Sequence, residues 1–330
     1  MMEQERYMWR AIDLARRAEP QAISPNPAVG AVLVYNGRVI GEGYHRKVGE
    51  AHAEINCLAS VRPEDQHLIA QSELYVTLEP CAHEGRTPSC AKRLVAEQVR
   101  KVYIGTLDPN PLTAGKGVQI LQRGGIEVVV GLLEQACKEV AKVFLCNQLH
   151  KRPFITLKWA ESQDGLIDTA RTDKHQAPAQ LSSPFTQQMV HLLRSQQSGI
   201  LVGRRTYELD QPTLNNRLWI PSPYSPRPIL LSSHPVELPP HWLQIKEASE
   251  ESMSQLLSEG ITSLLVEGGA ATHRAFIERQ LWDEIRREVA PIQLYEGVAA
   301  PLLPDKAILV ESTDLAAHHT ILRYRSEKNG

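Results

Sequence analysis

Across residues 50–149, segments of helical and strand character alternate, and this alternation constrains the fold more than any other feature of the chain. Residues 51–60 read as a helix, 74–78 as a strand, 91–98 as a helix and 99–106 as a strand. A helix over 115–123, a strand over 126–130 and a helix over 133–149 complete the series. Strands separated by helices bury their faces as a layered α/β sheet. Ahead of the series, Tyr7, Met8, Ile12, Leu14 and Ala15 fall at helical spacing within residues 1–18. Pro20, Pro25 and Pro27 then stop helix formation. Asn36-Gly37 separates the β-rich run Val29-Gly-Ala-Val-Leu-Val-Tyr35 from Arg38-Val-Ile40, and an Asn-Gly pair between such runs is a hairpin signal.

The chain has 330 residues, and at roughly 150 per domain that length predicts two domains. Lys151-Arg-Pro153 is the predicted junction, dividing 1–150 from 151–330. The second half starts a new sheet at 154–158, with further strands at 199–202, 228–231, 263–266 and 284–290 and helices between them. Residues 210–228 hold five prolines, which predicts an irregular loop over a site.

Charge and composition exclude several classes. With 36 Lys+Arg against 38 Asp+Glu, the net charge is −2, so no bulk electrostatic attraction to nucleic acid is expected. No apolar run approaches the ~20 residues of a membrane span, and the acidic N-terminal stretch does not read as a signal peptide. Five scattered cysteines predict no disulfide framework and point to a reducing, cytoplasmic setting. Cys57, Cys137 and Cys146 sit at apolar helical positions and read as core.

The remaining two cysteines belong to a chemical constellation. His52-Ala-Glu54 opens one predicted helix, Cys81 follows the strand 74–78, and Cys90 opens the next helix. One imidazole and two thiolates leave a fourth tetrahedral position open, as in a catalytic zinc site. Zinc lowers the pKa of a bound water toward ~7. Glu54 stands two residues from His52, placed to shuttle a proton without binding metal, as in the His-x-Glu…Pro-Cys pattern of zinc nucleobase deaminases. Eight residues separate the two cysteines, where many deaminases have two.

That spacing narrows the match. Glu79-Pro-Cys-Ala-His-Glu-Gly-Arg-Thr-Pro-Ser-Cys90 resembles the long cysteine loop of the riboflavin-pathway deaminases. The resemblance extends through Pro25-Asn-Pro-Ala-Val-Gly30, Gly41-Glu-Gly-Tyr-His45 and Asp108-Pro-Asn-Pro111. It implies a cytidine-deaminase-like three-layer α/β/α domain, fused to a C-terminal reductase. It also implies that Asn26, His45, His83, Arg86, Asp108 and Asn110 line a pocket for a pyrimidine carrying a ribose phosphate. Asn26 and Asn110 also sit between prolines and equally suit plain turns, and His83 equally suits an ordinary loop.

The second half resembles the riboflavin-pathway reductases, whose fold is like dihydrofolate reductase. The matching runs are Thr156-Leu-Lys-Trp-Ala160, Ser162-Gln-Asp-Gly165, Gly203-Arg-Arg-Thr206, Asp210-Gln-Pro-Thr-Leu214 with Arg217, and Val266-Glu-Gly-Gly269. No Gly-x-Gly-x-x-Gly follows a strand, so a Rossmann cofactor site is not expected. Gly268-Gly269 precedes a predicted helix over 271–281, a placement that suits a pyrophosphate. The resemblance implies an NADPH site at Ala160, Thr206, Asp210, Ser233, Gly268 and Gly269. It implies substrate contacts at Lys158, Arg194, Leu214, Arg217 and Glu267. Arg194 also suits a plain surface helix, and Asp164-Gly165 and Gly268-Gly269 suit plain turns. Gln180 stands where the family often carries a tryptophan, and the segment 168–179 departs from the family pattern.

Together these readings predict a bifunctional enzyme of riboflavin biosynthesis using one zinc ion per chain and NADPH. Its partner is a small pyrimidine ribose phosphate, with no nucleic acid or membrane, and homo-oligomerisation is expected. The competing expectation is a nucleoside or tRNA zinc deaminase with a non-catalytic C-terminal domain.

Overall fold

The computed structural model describes residues 3–83, 89–110, 114–219, 222–315 and 318–327. The chain divides at His150/Lys151 into two compact units.

The first unit opens with α1 (Glu3–Ala15) and a single turn, α2 (Pro20–Ile23). Pro20 thus begins a helix rather than only ending one, because proline's missing N–H is no loss in the first turn. A hairpin follows, β1 (Gly30–Tyr35) and β2 (Arg38–Tyr44), turning at Asn36 and Gly37 with φ of 44° and 79°. Then come α3 (Ala53–Ala59), a 3₁₀ segment Pro63–Gln71, β3 (Glu73–Leu78), α4 (Cys90–Ala96) and β4 (Lys101–Thr106). α5 (Lys116–Arg123), β5 (Glu127–Val130) and α6 (Glu134–His150) close the unit.

The strand order is β2-β1-β3-β4-β5. β1 runs antiparallel to β2 and β3, whereas β3, β4 and β5 are parallel. Period-two alternation splits β1 between two cores. Ala31 and Leu33 face α3, α4 and α5 through Cys57, Leu94 and Leu121. Val32 and Val34 face α1 and α6 through Met8, Ile12 and Cys137. The result is a three-layer α/β/α sandwich. Cys57, Cys137 and Cys146 are buried, and all five cysteines are free thiols.

The second unit contains β6 (Phe154–Ser162), β7 (Leu166–Asp168), α7 (Pro184–Ser195), β8 (Gly199–Gly203) and α8 (Arg204–Asp210). β9 (Arg227–Leu231), β10 (Leu243–Ile245), α9 (Glu250–Ser258), β11 (Ser263–Val266) and α10 (Ala270–Glu278) follow. β12 (Glu284–Ala290), β13 (Val298–Ala299), β14 (Ala307–Asp314) and β15 (Thr320–Ser326) complete it. Eight strands form one sheet in the order β10-β9-β8-β11-β6-β12-β15-β14. It is parallel from β10 to β12 and antiparallel through β15 and β14. One face buries Ile155, Leu157, Leu201 and Ile285 against Met253 of α9 and Phe276 of α10. The alternate residues, among them Lys158 and Ala160, face the other way. The start of β6 is held by buried Asp283, which accepts from both Arg152 Nη atoms at 2.6 and 2.8 Å and from the Ile155 N–H at 2.7 Å.

Among the described residues, no helix is long and apolar enough to cross a membrane.

Candidate active sites

In the first unit the helix α3 is seated by small residues. A Cβ at Gly43 would stand 2.3 Å from the Cys57 nitrogen, and one at Gly41 would stand 2.7 Å from the Cys57 oxygen. Only glycine lets the helix lie this close to β2. His52 is the N-cap residue of α3. The carbonyl just before it, Ala51, accepts from His45 Nδ1 at 3.2 Å and from Asn56 Nδ2 at 3.1 Å. Because a carbonyl only accepts, His45 carries its proton on Nδ1, and Nε2 is left to accept from Asn26 Nδ2 at 3.1 Å. Burial lowers the pKa of His45, which keeps the ring neutral.

Cys90 opens α4, capped by Ser89, whose hydroxyl accepts from the Lys92 N–H at 3.3 Å. The Cys90 N–H donates to Cys81 Sγ at 3.3 Å. His52 Nδ1 lies 3.6 Å from Cys81 Sγ and 3.3 Å from Cys90 Sγ, and the three donor atoms all fall within 4.8 Å of one another. Ligand atoms on a tetrahedral zinc stand about 3.5–3.8 Å apart, so the set fits that ion. The hydrogen bond from the Cys90 thiol, with His52 beside it, pulls the Cys81 thiol down. The resulting thiolate and burial push Cys90 up. Two such thiols share a single proton until a cation takes both as thiolates.

Glu54, in the first turn of α3, is 3% exposed, and burial lifts its carboxyl to about 7. A carboxyl poised there can both take and give a proton at neutral pH. Asp108 and Asn110 form a turn in which Asp108 Oδ1 accepts from the Asn110 N–H at 2.8 Å. His83 is exposed. Arg86 lies outside the described residues.

Glu79 is a residue whose role sequence reasoning missed, although it stands within the Glu-Pro-Cys run. Its Oε2 accepts from the N–H groups of Asp108 (3.1 Å) and Gly115 (3.0 Å), and its Oε1 accepts from that of Val118 at 3.2 Å. One buried carboxylate thereby ties the strand end that precedes Cys81 to the loop that carries Asp108 and Asn110.

In the second unit a cavity of about 1050 Å³ opens on the Lys158 side of the sheet. Lys158, Ala160, Arg194, Thr206, Asp210, Arg217, Glu267, Gly268 and Gly269 line it. Leu214 and Ser233 do not. Leu214 is buried with Ile200, Val202 and Leu265, since an apolar side chain in a proline-rich loop gains most by plugging the core. Ser233 is exposed beyond β9. Gly269 caps α10 with φ −71°, so this turn does not need glycine for its backbone angles. It needs space, because a Cβ on Gly268 would stand 2.5 Å from Thr272 Cβ. Asp164 lies outside the lining and pins a neighbouring loop, accepting from the Leu294 and Tyr295 N–H groups at 3.1 and 2.7 Å.

Arg194 does not face solvent. Its Nη2 and Nε donate to the two carboxylate oxygens of Glu267 at 2.6 and 3.2 Å. Burial pulls the Lys158 ammonium below its ordinary range, opposed by Glu267 and Glu288. His191, unassigned from sequence, also lines the cavity, and its Nδ1 accepts from the Leu218 N–H at 3.4 Å. Its position three residues before Arg194 on one helix face was the available signal.

A three-layer α/β/α unit with an open His-Cys-Cys set and a buried carboxyl beside it defines a zinc-deaminase domain. The comparisons agree with that class and carry it further. Residues 1–106 match the cytidine and deoxycytidylate deaminase zinc-binding region, and residues 153–321 match the RibD C-terminal domain. The riboflavin biosynthesis protein RibD of Bacillus amyloliquefaciens is 36% identical over 91% of this chain and 87% of its own length. The RibD of Aquifex aeolicus is 34% identical over 89% and 88%. Among solved structures, a Thermotoga maritima diaminohydroxyphosphoribosylaminopyrimidine deaminase/5-amino-6-(5-phosphoribosylamino)uracil reductase superposes with a TM-score of 0.85 at 30% identity, covering 98% of this chain and 99% of that one. Acinetobacter baumannii RibD gives 0.86 at 31% identity, with the same coverage. The chain belongs to the RibD family, the bifunctional deaminase/reductases of riboflavin biosynthesis.

Proposed function

We propose that residues 1–150 deaminate 2,5-diamino-6-ribosylamino-4(3H)-pyrimidinone 5′-phosphate by hydrolysis. Residues 151–330 then reduce the ribosyl group of the product to ribityl with NADPH. The observation that carries this reading is the convergence of His52, Cys81 and Cys90 around one point, with Glu54 buried beside them. Zinc held by those three residues supplies a water activated at neutral pH, and NADPH supplies a hydride. Glu54 takes a proton from the attacking water and passes it to the departing amine. Asn26, fixed by His45, joins Asp108 and Asn110 in reading the polar edges of the pyrimidine. His83 joins that pocket, and the family resemblance assigns the phosphate to Arg86, outside the described residues.

In the reductase site the hydride goes to C1′ of the open-chain imine and a proton to its nitrogen. Lys158 and Glu267 stand at the substrate end. Arg217 takes the phosphate, since it hydrogen-bonds only to Thr213 and Asn215 and makes no ion pair among the described residues. Gly268, Gly269 and the N–H groups opening α10 receive the pyrophosphate of the cofactor, with Ala160, Thr206 and Asp210 along the same wall. The chain works in the cytoplasm and as a homo-oligomer; the exposed Ile308, Leu309 and Val310 on the edge strand β14 support association. The nucleoside or tRNA deaminase reading is not favoured, because the RibD relatives match through both units.

The test is incubation of the pure protein with the diaminopyrimidine phosphate, with and without NADPH, followed by mass spectrometry. The deaminated product is expected without NADPH, and the ribityl product only with it. Unchanged substrate in both arms, from protein carrying zinc, would reject the reading.

A further inference from the structure

We infer that Arg171 is a positioning residue of the reductase site, one that fixes Asp210 at the cofactor wall and locks segment 168–182 against α8. This inference rests on the reading of the cavity as an NADPH site.

Arg171 lines the cavity yet is only 7% exposed. Its Nε donates to Asp168 Oδ2 and its Nη1 to Asp210 Oδ1, both at 2.7 Å. One guanidinium therefore joins two carboxylates from separate elements, the end of β7 and the end of α8. A lysine cannot reproduce this, because a single ammonium lacks the rigid fork that holds two directions at once. The backbone is tied as well, since the Arg171 carbonyl accepts from Arg205 Nη2 at 2.5 Å.

The rest of the segment is built around this joint. Asp168 Oδ1 accepts from the N–H groups of Thr169 and Ala179, each at 2.9 Å, which closes the loop at its base. Gln176 Oε1 accepts from the Thr172 and Asp173 N–H groups at 2.5 and 3.3 Å inside it. At the far end Ser182 donates to the fully buried Glu288 at 3.1 Å. Ala179, Gln180, Leu181 and Ser182 are thus delivered to the cavity wall by a segment held at its base, its middle and its end.

The electrostatic consequence is specific to the cofactor. NADPH is a polyanion, and an unneutralised Asp210 in the wall would repel it. Arg171, shared with Asp168, offsets part of that charge and holds one carboxylate oxygen back. These are ground-state contacts away from the reacting atoms, so their loss should weaken cofactor binding more than it slows hydride transfer.

The experiment compares full-length wild type with Arg171→Ala, Arg171→Lys, Asp210→Asn and the Arg171→Ala/Asp210→Asn double variant. It measures NADPH Kd by fluorescence, and reduction kinetics with the deaminated substrate. Arg171→Ala should raise the Kd and KM for NADPH by about 10- to 100-fold, the range of lost charge-assisted hydrogen bonds, with kcat within about threefold. Arg171→Lys should fall between alanine and wild type. The double variant should bind NADPH more tightly than Arg171→Ala, since Asp210→Asn removes the charge that Arg171 no longer offsets, so the two effects do not multiply. A purely structural arginine would lower thermal stability and the active fraction while leaving the Kd of the folded protein unchanged. That result, or single-variant effects that simply multiply in the double variant, would overturn the inference. A wild-type chain that neither binds nor oxidises NADPH would instead overturn the functional reading, and this inference with it.

Discussion

Arg194 and Glu267, each expected from sequence to touch substrate separately, form a bidentate ion pair at 2.6 and 3.2 Å on the wall of the reductase cavity. Burial by itself would raise the Glu267 carboxyl. Arg194 and Lys158 outweigh it and hold the group below the ordinary carboxylate value. The pair therefore enters the cavity as a fixed unit, with Lys158 beside it.

The charged state of that pair has a pH signature. Since Glu267 titrates lower in the folded chain, its contribution to stability is present above the unfolded value. It is lost as pH falls from near 4.5 through the lower folded value. Glu267→Gln breaks a buried pair and should cost about 3–5 kcal/mol at pH 7, with a much smaller difference in acid. Urea unfolding followed by the fluorescence of buried Trp159 and Trp282 reads this out. Equal differences at pH 7 and in acid would mean that the pair is not charged.

The metal set is tested by Cys81→Ser. Elemental analysis should show one zinc per chain in wild type and a major loss in the variant. Full retention of zinc would remove Cys81 from the set.

Glu54→Gln keeps the shape of the side chain and removes its titratable carboxyl. Zinc should stay bound, while ammonia release drops by roughly 10²–10⁴, the range for general acid–base groups. Reduction of the deaminated substrate should continue. Turnover close to wild type would exclude Glu54 as the proton carrier.

Arg217→Ala should leave deamination intact and raise the KM of the reductase substrate by about 10- to 100-fold with little change in kcat, as expected for a phosphate contact made equally before and during reaction. Steady-state kinetics of both half-reactions decide it. If reduction is untouched, Arg217 is a surface residue of the proline-rich loop.

What the sequence determined by itself was local or strongly patterned. The helix–strand alternation, the Asn36-Gly37 turn and the buried Cys57, Cys137 and Cys146 all follow from period and turn chemistry, which act over a few residues. The set His52, Cys81, Cys90 was legible because zinc chemistry admits few ligand sets, and Glu54 because a proton carrier belongs next to them in sequence. The tertiary structure alone decided which side chains engage one another across the fold. Glu79 reaching 29 to 39 residues ahead, Arg171 joining Asp168 to Asp210, and Arg194 closing on Glu267 leave no periodic trace in the sequence. A charged residue in a linear chain looks the same whether it faces water or a buried partner. The same limit applied to Leu214, given a substrate contact by the family resemblance, whose apolar side chain is buried with Ile200, Val202 and Leu265. The antiparallel pair β14 and β15 was likewise unread, because half-exposed edge strands such as β14, with Ile308, Leu309 and Val310 facing outward, lack the inside–outside alternation that marks a strand.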